Sequence, residues 1–217
     1  MSYLPFVDNA HPGLLDRMLA NQTSMFNYHS GLEATHPYSS SWYEWPTMVR
    51  PIWYYSGYLT DAVKEGISAF GNPLVWWIGI PAFLYVLYLL IRNSAFVRSA
   101  HSADAPGVLS HREYAAAAFL VVGYLAQYLP WFFVTRITFI YHYFPSVPFV
   151  VLMIVYSMMQ LKKRVSDRTF TIICCVYAAL AFALFLLFYP VLSGQPVDVA
   201  FVVKYLRWRP TWVLISG

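Results

Sequence analysis

Four long stretches without an ionised side chain dominate this sequence. Lys64 and Glu65 are followed by no Asp, Glu, Lys or Arg until Arg92, and Glu113 by none until Arg136. Arg136 is followed by none until Lys162, and Arg168 by none until Asp198. Each gap is longer than the ~20 apolar residues that carry a helix across a ~30 Å hydrocarbon core. Burying a charge in lipid is costly, so a chain patterned this way crosses a membrane. The expected spans are about 72–92, 114–133, 144–161 and 169–190. Over the 217 residues only 11% are charged and 59% are hydrophobic, against about 25% charged in a soluble domain. The fold class expected is all-α: a polytopic membrane protein with four transmembrane helices plus two amphipathic interfacial helices on the extracytoplasmic side.

The formal net charge of +4 is not a nucleic-acid signal, because the basic residues stand at helix ends instead of on one soluble face. Arg92, Arg98 and Arg112 flank the connection of spans one and two, and Lys162, Lys163, Arg164 and Arg168 the connection of spans three and four. The bias of Lys and Arg toward cytoplasmic loops puts 93–113 and 162–168 inside, and 1–70 and 191–217 outside. This divides the chain into an extracytoplasmic segment (1–71), a four-helix membrane domain (72–190) and an extracytoplasmic tail (191–217). It also describes a multi-pass protein with both termini outside. Cys174 and Cys175 are adjacent within span four, where a vicinal pair cannot staple distant segments. No basic n-region with an apolar h-region opens the chain, and Met1–Val7 reads like the last turn of an earlier membrane helix. The chain is therefore expected to be a piece of, or an alternative start within, a longer protein.

After Pro12, Leu14, Leu15, Met18, Leu19, Met25 and Phe26 recur at helical spacing while Asp16, Arg17 and Asn21 fall elsewhere, which predicts an interfacial helix. Leu59, Val63, Ile67 and Phe70 predict a second over 59–70. Between them, His36–Tyr55 holds seven Trp and Tyr residues and three prolines, which exclude a continuous helix. Aromatic side chains gather at membrane boundaries, so this segment is a belt or a pocket. His36, Glu44 and Arg50 set among the aromatics favour a pocket. Asn72 and Pro73 supply a cap and a first helical residue for span one, and Pro81 is placed to kink it. Spans two and three form a tight hairpin whose connection leaves Arg136, Tyr141 and His142 at the outer surface. An ionisable group at such depth marks a functional site or a snorkelling anchor. The tail alternates Lys204, Arg207 and Arg209 with Tyr205, Trp208 and Trp212, as a lid or an anchor. His29 and His36 lack a third ligand at diagnostic spacing, so no metal site is expected.

Three segments, THPYSSSWYEWPTMVRPIWYY (35–55), GNPLVWWIGIPAF (71–83) and RITFIYHYFPSVPF (136–149), together resemble the C-terminal four-helix region of protein O-mannosyltransferases. More broadly they are similar to phospholipid-carrier-dependent glycosyltransferases of the GT-C superfamily. The resemblance implies transfer of a sugar, mannose in that family, from a polyprenyl-phosphate donor to a Ser or Thr hydroxyl of an acceptor protein at the extracytoplasmic face of a bacterial plasma membrane. The lipid-linked donor is the only cofactor-like molecule it implies. The expected partners are membrane lipid, that donor, the acceptor protein and the N-terminal half of the enzyme. On that likeness Arg50 and Arg136 would stabilise the lipid-phosphate leaving group, and His36, Tyr141 and His142 would bind phosphate or sugar hydroxyls. Trp42 and Trp45 would stack on sugar or isoprenoid. Glu44 is the sole carboxylate of the aromatic loop. The family's base lies in an early acidic loop that is not among these residues, so the chain alone is expected to be inactive. The alternative is a non-catalytic subunit or remnant that binds lipid or partner helices. A transporter is disfavoured, because the spans carry almost no buried charge and no internal repeat.

Overall fold

The computed structural model describes residues 13–30, 35–94 and 108–215, with side chains placed from 13 to 28 in the first stretch. Met1–Val7, Arg98, His101 and the His29 side chain lie outside the described residues.

The four uncharged stretches are helical. Helices long and apolar enough to cross a membrane occupy Pro73–Arg92, His111–Phe133, Ile140–Lys162 and Asp167–Ser193. Their regular α-helical portions are α2 (Pro73–Arg92), α3 (His111–Tyr128), α4 (Val147–Lys162) and α5 (Asp167–Ser193), preceded by α1 (Leu14–Ser30). The chain is thus a multi-pass membrane protein. Leu15, Leu19 and Phe26 of α1 are exposed, as an amphipathic helix that rests on a membrane surface requires.

Asn72 caps α2 as its sequence predicts. Its side chain accepts from the N–H of Leu74 (3.1 Å) and Val75 (3.4 Å) and donates to the Ala181 carbonyl (2.8 Å), so the cap also ties α2 to α5. α2 runs unbroken through Pro81. Gly79 lets α2 and α4 approach closely, since a Cβ there would strike Val150. Ser110 and Glu113 form a capping box at the start of α3. The Glu113 carboxylate also pairs with Lys163 and accepts from Gln160 Nε2 (3.1 Å), which fastens the start of α3 to the end of α4. The bundle therefore has a basic end, where α3 and α5 begin, and an aromatic end, where α2 and α4 begin.

The second interfacial helix is not formed. Residues 59–70 belong to an antiparallel hairpin of β1 (Ile52–Tyr58) and β2 (Val63–Ala69), extended by a short β3 (Val197–Asp198) in the order β1-β2-β3. Steps of four residues, as in Leu59, Val63 and Ile67, satisfy a period of two as well as a helical one. Two neighbouring features decide between them. IWYYSGY in β1 is rich in aromatic residues that favour strands, and Thr60 closes a turn in which its N–H donates to the Val63 carbonyl (3.0 Å). Burial in β2 alternates, with Lys64, Gly66 and Ser68 inward. Gly66 is required because a Cβ there would strike the Leu214 carbonyl.

The tail is neither a free lid nor a simple anchor. After a helical turn at Val199–Phe201 and a π turn at Val202–Leu206, it returns to bury Trp212 completely. The Trp212 indole donates to the Met48 carbonyl (2.7 Å), and the Thr211 hydroxyl to the Val49 carbonyl. Lys204, Tyr205 and Arg207 point outward, Arg209 is half-buried, and Trp208 stacks on Trp212 (6.0 Å between ring centroids). The aromatic end thus carries a small folded cap of its own, with Trp45, Met48, Phe70, Trp212 and Leu214 at its core.

A polar cavity at the aromatic end

Two segments almost one hundred positions apart make this site, and each is shaped locally. The first is the turn at His36–Ser41. Pro37 fixes the backbone, the Ser39 N–H and hydroxyl both donate to the His36 carbonyl (3.0 and 2.8 Å), and the Tyr38 N–H donates to His36 Nδ1 (3.2 Å). A 3-10 turn over Trp42–Thr47 follows and ends at Met48 in the left-handed region (φ 50°). The second is the connection from α3 to α4, which leaves α3 by a 3-10 turn at Leu129–Phe133 and enters α4 by another at Ile140–Ser146.

Ser40 and Thr138 join the two. The Ser40 N–H donates to the Thr138 carbonyl (2.9 Å) and the Thr138 hydroxyl donates to the Ser40 carbonyl (2.7 Å). Arg50 and Arg136 are thereby brought to the rim of one cavity of about 220 Å3, lined also by Ser39, Ser40, Ser41, Glu44, Thr135, Ile137 and Thr138.

The two guanidiniums are held differently. Arg50 donates to the carbonyls of Pro37 (3.0 Å) and Ser39 (3.4 Å), so it braces the turn while facing the cavity. Arg136 is half-buried and, among the described residues, makes no hydrogen bond or ion pair. The carboxylate of Glu44 accepts the Ser41 N–H (2.6 Å) and caps the 3-10 turn, instead of pairing with either arginine. Two cations, one committed carboxylate and five hydroxyl side chains make a cavity suited to a small anion with hydroxyl-bearing neighbours.

The remaining sequence candidates surround this cavity without lining it. His142 is packed between Trp131 (4.3 Å) and Tyr141 (4.4 Å) and stacks on Trp45 (5.9 Å), with Nδ1 accepting from the Phe139 N–H (3.1 Å). His36 is exposed and sets its ring edge-on to Phe139 (5.1 Å). The two histidines thus share Phe139 as a neighbour and leave the anion position to the arginines. Tyr141 is exposed beside them. Trp45 is fully buried, its indole donating to Ser40, so it packs behind the Ser40 turn and offers no face to a sugar. Trp42 is half-buried against Tyr128 (5.4 Å) and Phe132 (5.8 Å), and its carbonyl accepts the Tyr128 hydroxyl (2.9 Å). Ser39, Ser40, Ser41, Thr135 and Thr138 were missed from sequence, although the serine run and the threonines flanking Arg136 were visible in it. Among the described residues no group of three His, Cys, Asp or Glu side chains is placed to hold a metal ion.

Residues 14–212 match the family described as the C-terminal four TMM region of protein-O-mannosyltransferase. Protein O-mannosyltransferase 1 of Drosophila pseudoobscura pseudoobscura is 29% identical over 215 residues, 92% of this chain and 22% of the relative. A polyprenol-phosphate-mannose–protein mannosyltransferase of Mycobacterium tuberculosis is 27% identical over 203 residues, 86% of this chain and 35% of the relative. The chain therefore spans about a fifth to a third of the length of these relatives. The fold is also that found in the S. cerevisiae protein O-mannosyltransferase Pmt1-Pmt2 complex bound to the sugar donor. There the TM-score is 0.74 at 19% identity, covering 92% of this chain and 27% of that one.

Proposed function

This chain belongs to the protein O-mannosyltransferase family, as its C-terminal four-helix region, and from that premise we propose that its polar cavity receives the phosphate of a polyprenyl-phosphate mannose. The observation that carries the reading is the convergence of Arg50 and Arg136 on one hydroxyl-lined cavity at the end of the apolar spans. An isoprenoid stays among the helices while its phosphate sits at their ends, where the cavity is. When mannose leaves the carrier, the bond from its anomeric carbon to the phosphate oxygen breaks and negative charge grows on that oxygen. Two guanidiniums facing one cavity stabilise the growing charge, and their planar donor forks suit a phosphate better than a lysine would.

The new bond joins the anomeric carbon to a Ser or Thr hydroxyl of the acceptor protein, and the hydroxyl proton passes to a base. Glu44 caps the 3-10 turn; the resemblance puts the family's base in an early acidic loop outside these residues, which supports a chain that alone transfers no sugar. The bias of Lys and Arg toward cytoplasmic loops supports an extracytoplasmic cavity, and the family likeness supports a bacterial plasma membrane as its setting. Residues 1–71 and 191–217 are then the extracytoplasmic segment and tail and 72–190 the membrane domain, both termini outside.

Binding tests this reading. The chain in lipid nanodiscs is titrated with farnesyl phosphate and with farnesol, which share a tail and differ in charge. At least tenfold tighter binding of the phosphate, lost in Arg136→Ala, is expected. Equal binding of the two would overturn it.

A further inference from the structure

A second cavity lies away from the first, in the bundle wall toward the basic end. It has a volume of about 470 Å3 and is bounded by α2, α4 and α5. Between Ile78 and Tyr85 it follows α2 for roughly 10 Å at 1.5 Å per residue. Its walls are apolar, with Ile78, Ile154, Leu161 and Ile173 from the three helices, and Pro81 is exposed into it. The cavity lies beside the least buried of the spans: nothing in the most apolar 18 residues of α5 is buried.

Apart from Ser157, whose hydroxyl donates to the Met153 carbonyl of its own helix (2.7 Å), three polar side chains interrupt the apolar lining: Tyr85, Tyr177 and the guanidinium of Arg164. Among the described residues none of the three makes a hydrogen bond or an ion pair within the chain. The neighbouring charges are differently placed. Lys163 pairs with Glu113, and Lys162 lies 4.0 Å from Asp167 and over the Phe170 ring (5.5 Å). Arg168 does not line the cavity. Among the described residues Arg164 is thus the one cation lining a groove shaped for a hydrocarbon chain. Its complement is an amphiphile with an apolar tail and an anionic head.

The geometry points to a binding site for an anionic phospholipid at the basic end. One acyl chain lies between α2, α4 and α5, and the headgroup phosphate meets Arg164. Such a lipid fills the gap beside α5 and holds the helix at its present distance. The site is separate from the arginine pair of the polar cavity, so either can fail without the other.

Native mass spectrometry of the detergent-purified chain tests it, with dioleoyl phosphatidylglycerol and dioleoyl phosphatidylcholine as probes. Phosphatidylglycerol is expected to bind about fivefold more tightly, the worth of one basic residue near a lipid headgroup. Arg164→Gln removes the preference, Arg168→Gln and Arg136→Ala keep it, and Ile173→Trp, which fills the groove, loses both lipids. Equal binding of the two lipids overturns the proposal. So does a preference as sensitive to Arg168→Gln as to Arg164→Gln, which would report only surface charge. Displacement of phosphatidylglycerol by an equal concentration of farnesyl phosphate also overturns it, since the groove would then belong to the isoprenoid.

Discussion

Ser40 and Thr138 exchange two hydrogen bonds across 98 positions of sequence, and through them the Arg50 and Arg136 segments face one cavity. Neither residue carries charge. Their effect on any anion bound there is positional, set by how firmly they register the aromatic loop on the α3–α4 connection.

Thr138→Val keeps the shape of the side chain and removes its donor. Thr138 is buried, and losing one hydrogen bond of this kind costs about 1 kcal/mol. Thermal unfolding in detergent should shift modestly downward, while affinity for farnesyl phosphate falls several-fold as the arginines lose register. Thr138→Ser should restore both.

Arg136 and Arg50 should separate in their effects. Among the described residues Arg136 makes no hydrogen bond or ion pair, so Arg136→Ala should weaken phosphate binding tenfold or more with no change in thermal stability. Arg136→Lys should recover only part, since the planar fork is lost. Arg50 braces the carbonyls of Pro37 and Ser39, so Arg50→Ala should lower both binding and stability. Equal loss of stability in both variants would contradict this division of labour.

Glu44 should behave as a cap. Glu44→Gln weakens the bond from the Ser41 N–H and should cost about 1 kcal/mol of stability. The purified chain with polyprenyl-phosphate mannose and an acceptor peptide should give no product above background, with or without that substitution. Turnover by the unmodified chain, abolished in Glu44→Gln, would make Glu44 the base.

The four spans and the capped start of α2 were legible because charge in lipid and an open helix end are costly everywhere, so the sequence has to avoid both. The hairpin at 52–69 was not. Its apolar spacing fits both periods, and β2 also packs at Gly66 and Ser68 on Leu214 and Ile215, far along the chain. Tertiary contact likewise decided the candidate residues. Arg50 and Arg136 stood out by charge in an apolar setting. Trp45 and His142 looked like ligand-facing groups from composition and are packing partners, because burial of an aromatic ring depends on neighbours the linear pattern does not show. The serine and threonine hydroxyls escaped notice because such residues are common in turns.

Topology is open to a direct check. In a Cys174→Ser/Cys175→Ser background, Tyr58→Cys at the aromatic end should react with a membrane-impermeant maleimide added to intact cells. Val165→Cys at the basic end should react only after permeabilisation. The opposite pattern would place the polar cavity in the cytoplasm and remove the lipid-carrier reading.

The central claim is that Arg50 and Arg136 hold one anion, and a double-mutant cycle on farnesyl phosphate affinity tests it most directly. Groups that share a ligand are coupled, by about 0.5–3 kcal/mol, whereas independent sites add to within about 0.3–0.5 kcal/mol. With Arg50→Gln and Arg136→Gln measured singly and together in nanodiscs, the account predicts a coupling of about 1 kcal/mol or more. Additive losses, with the double variant as weak as the two singles combined, would mean two separate cations and no shared phosphate site.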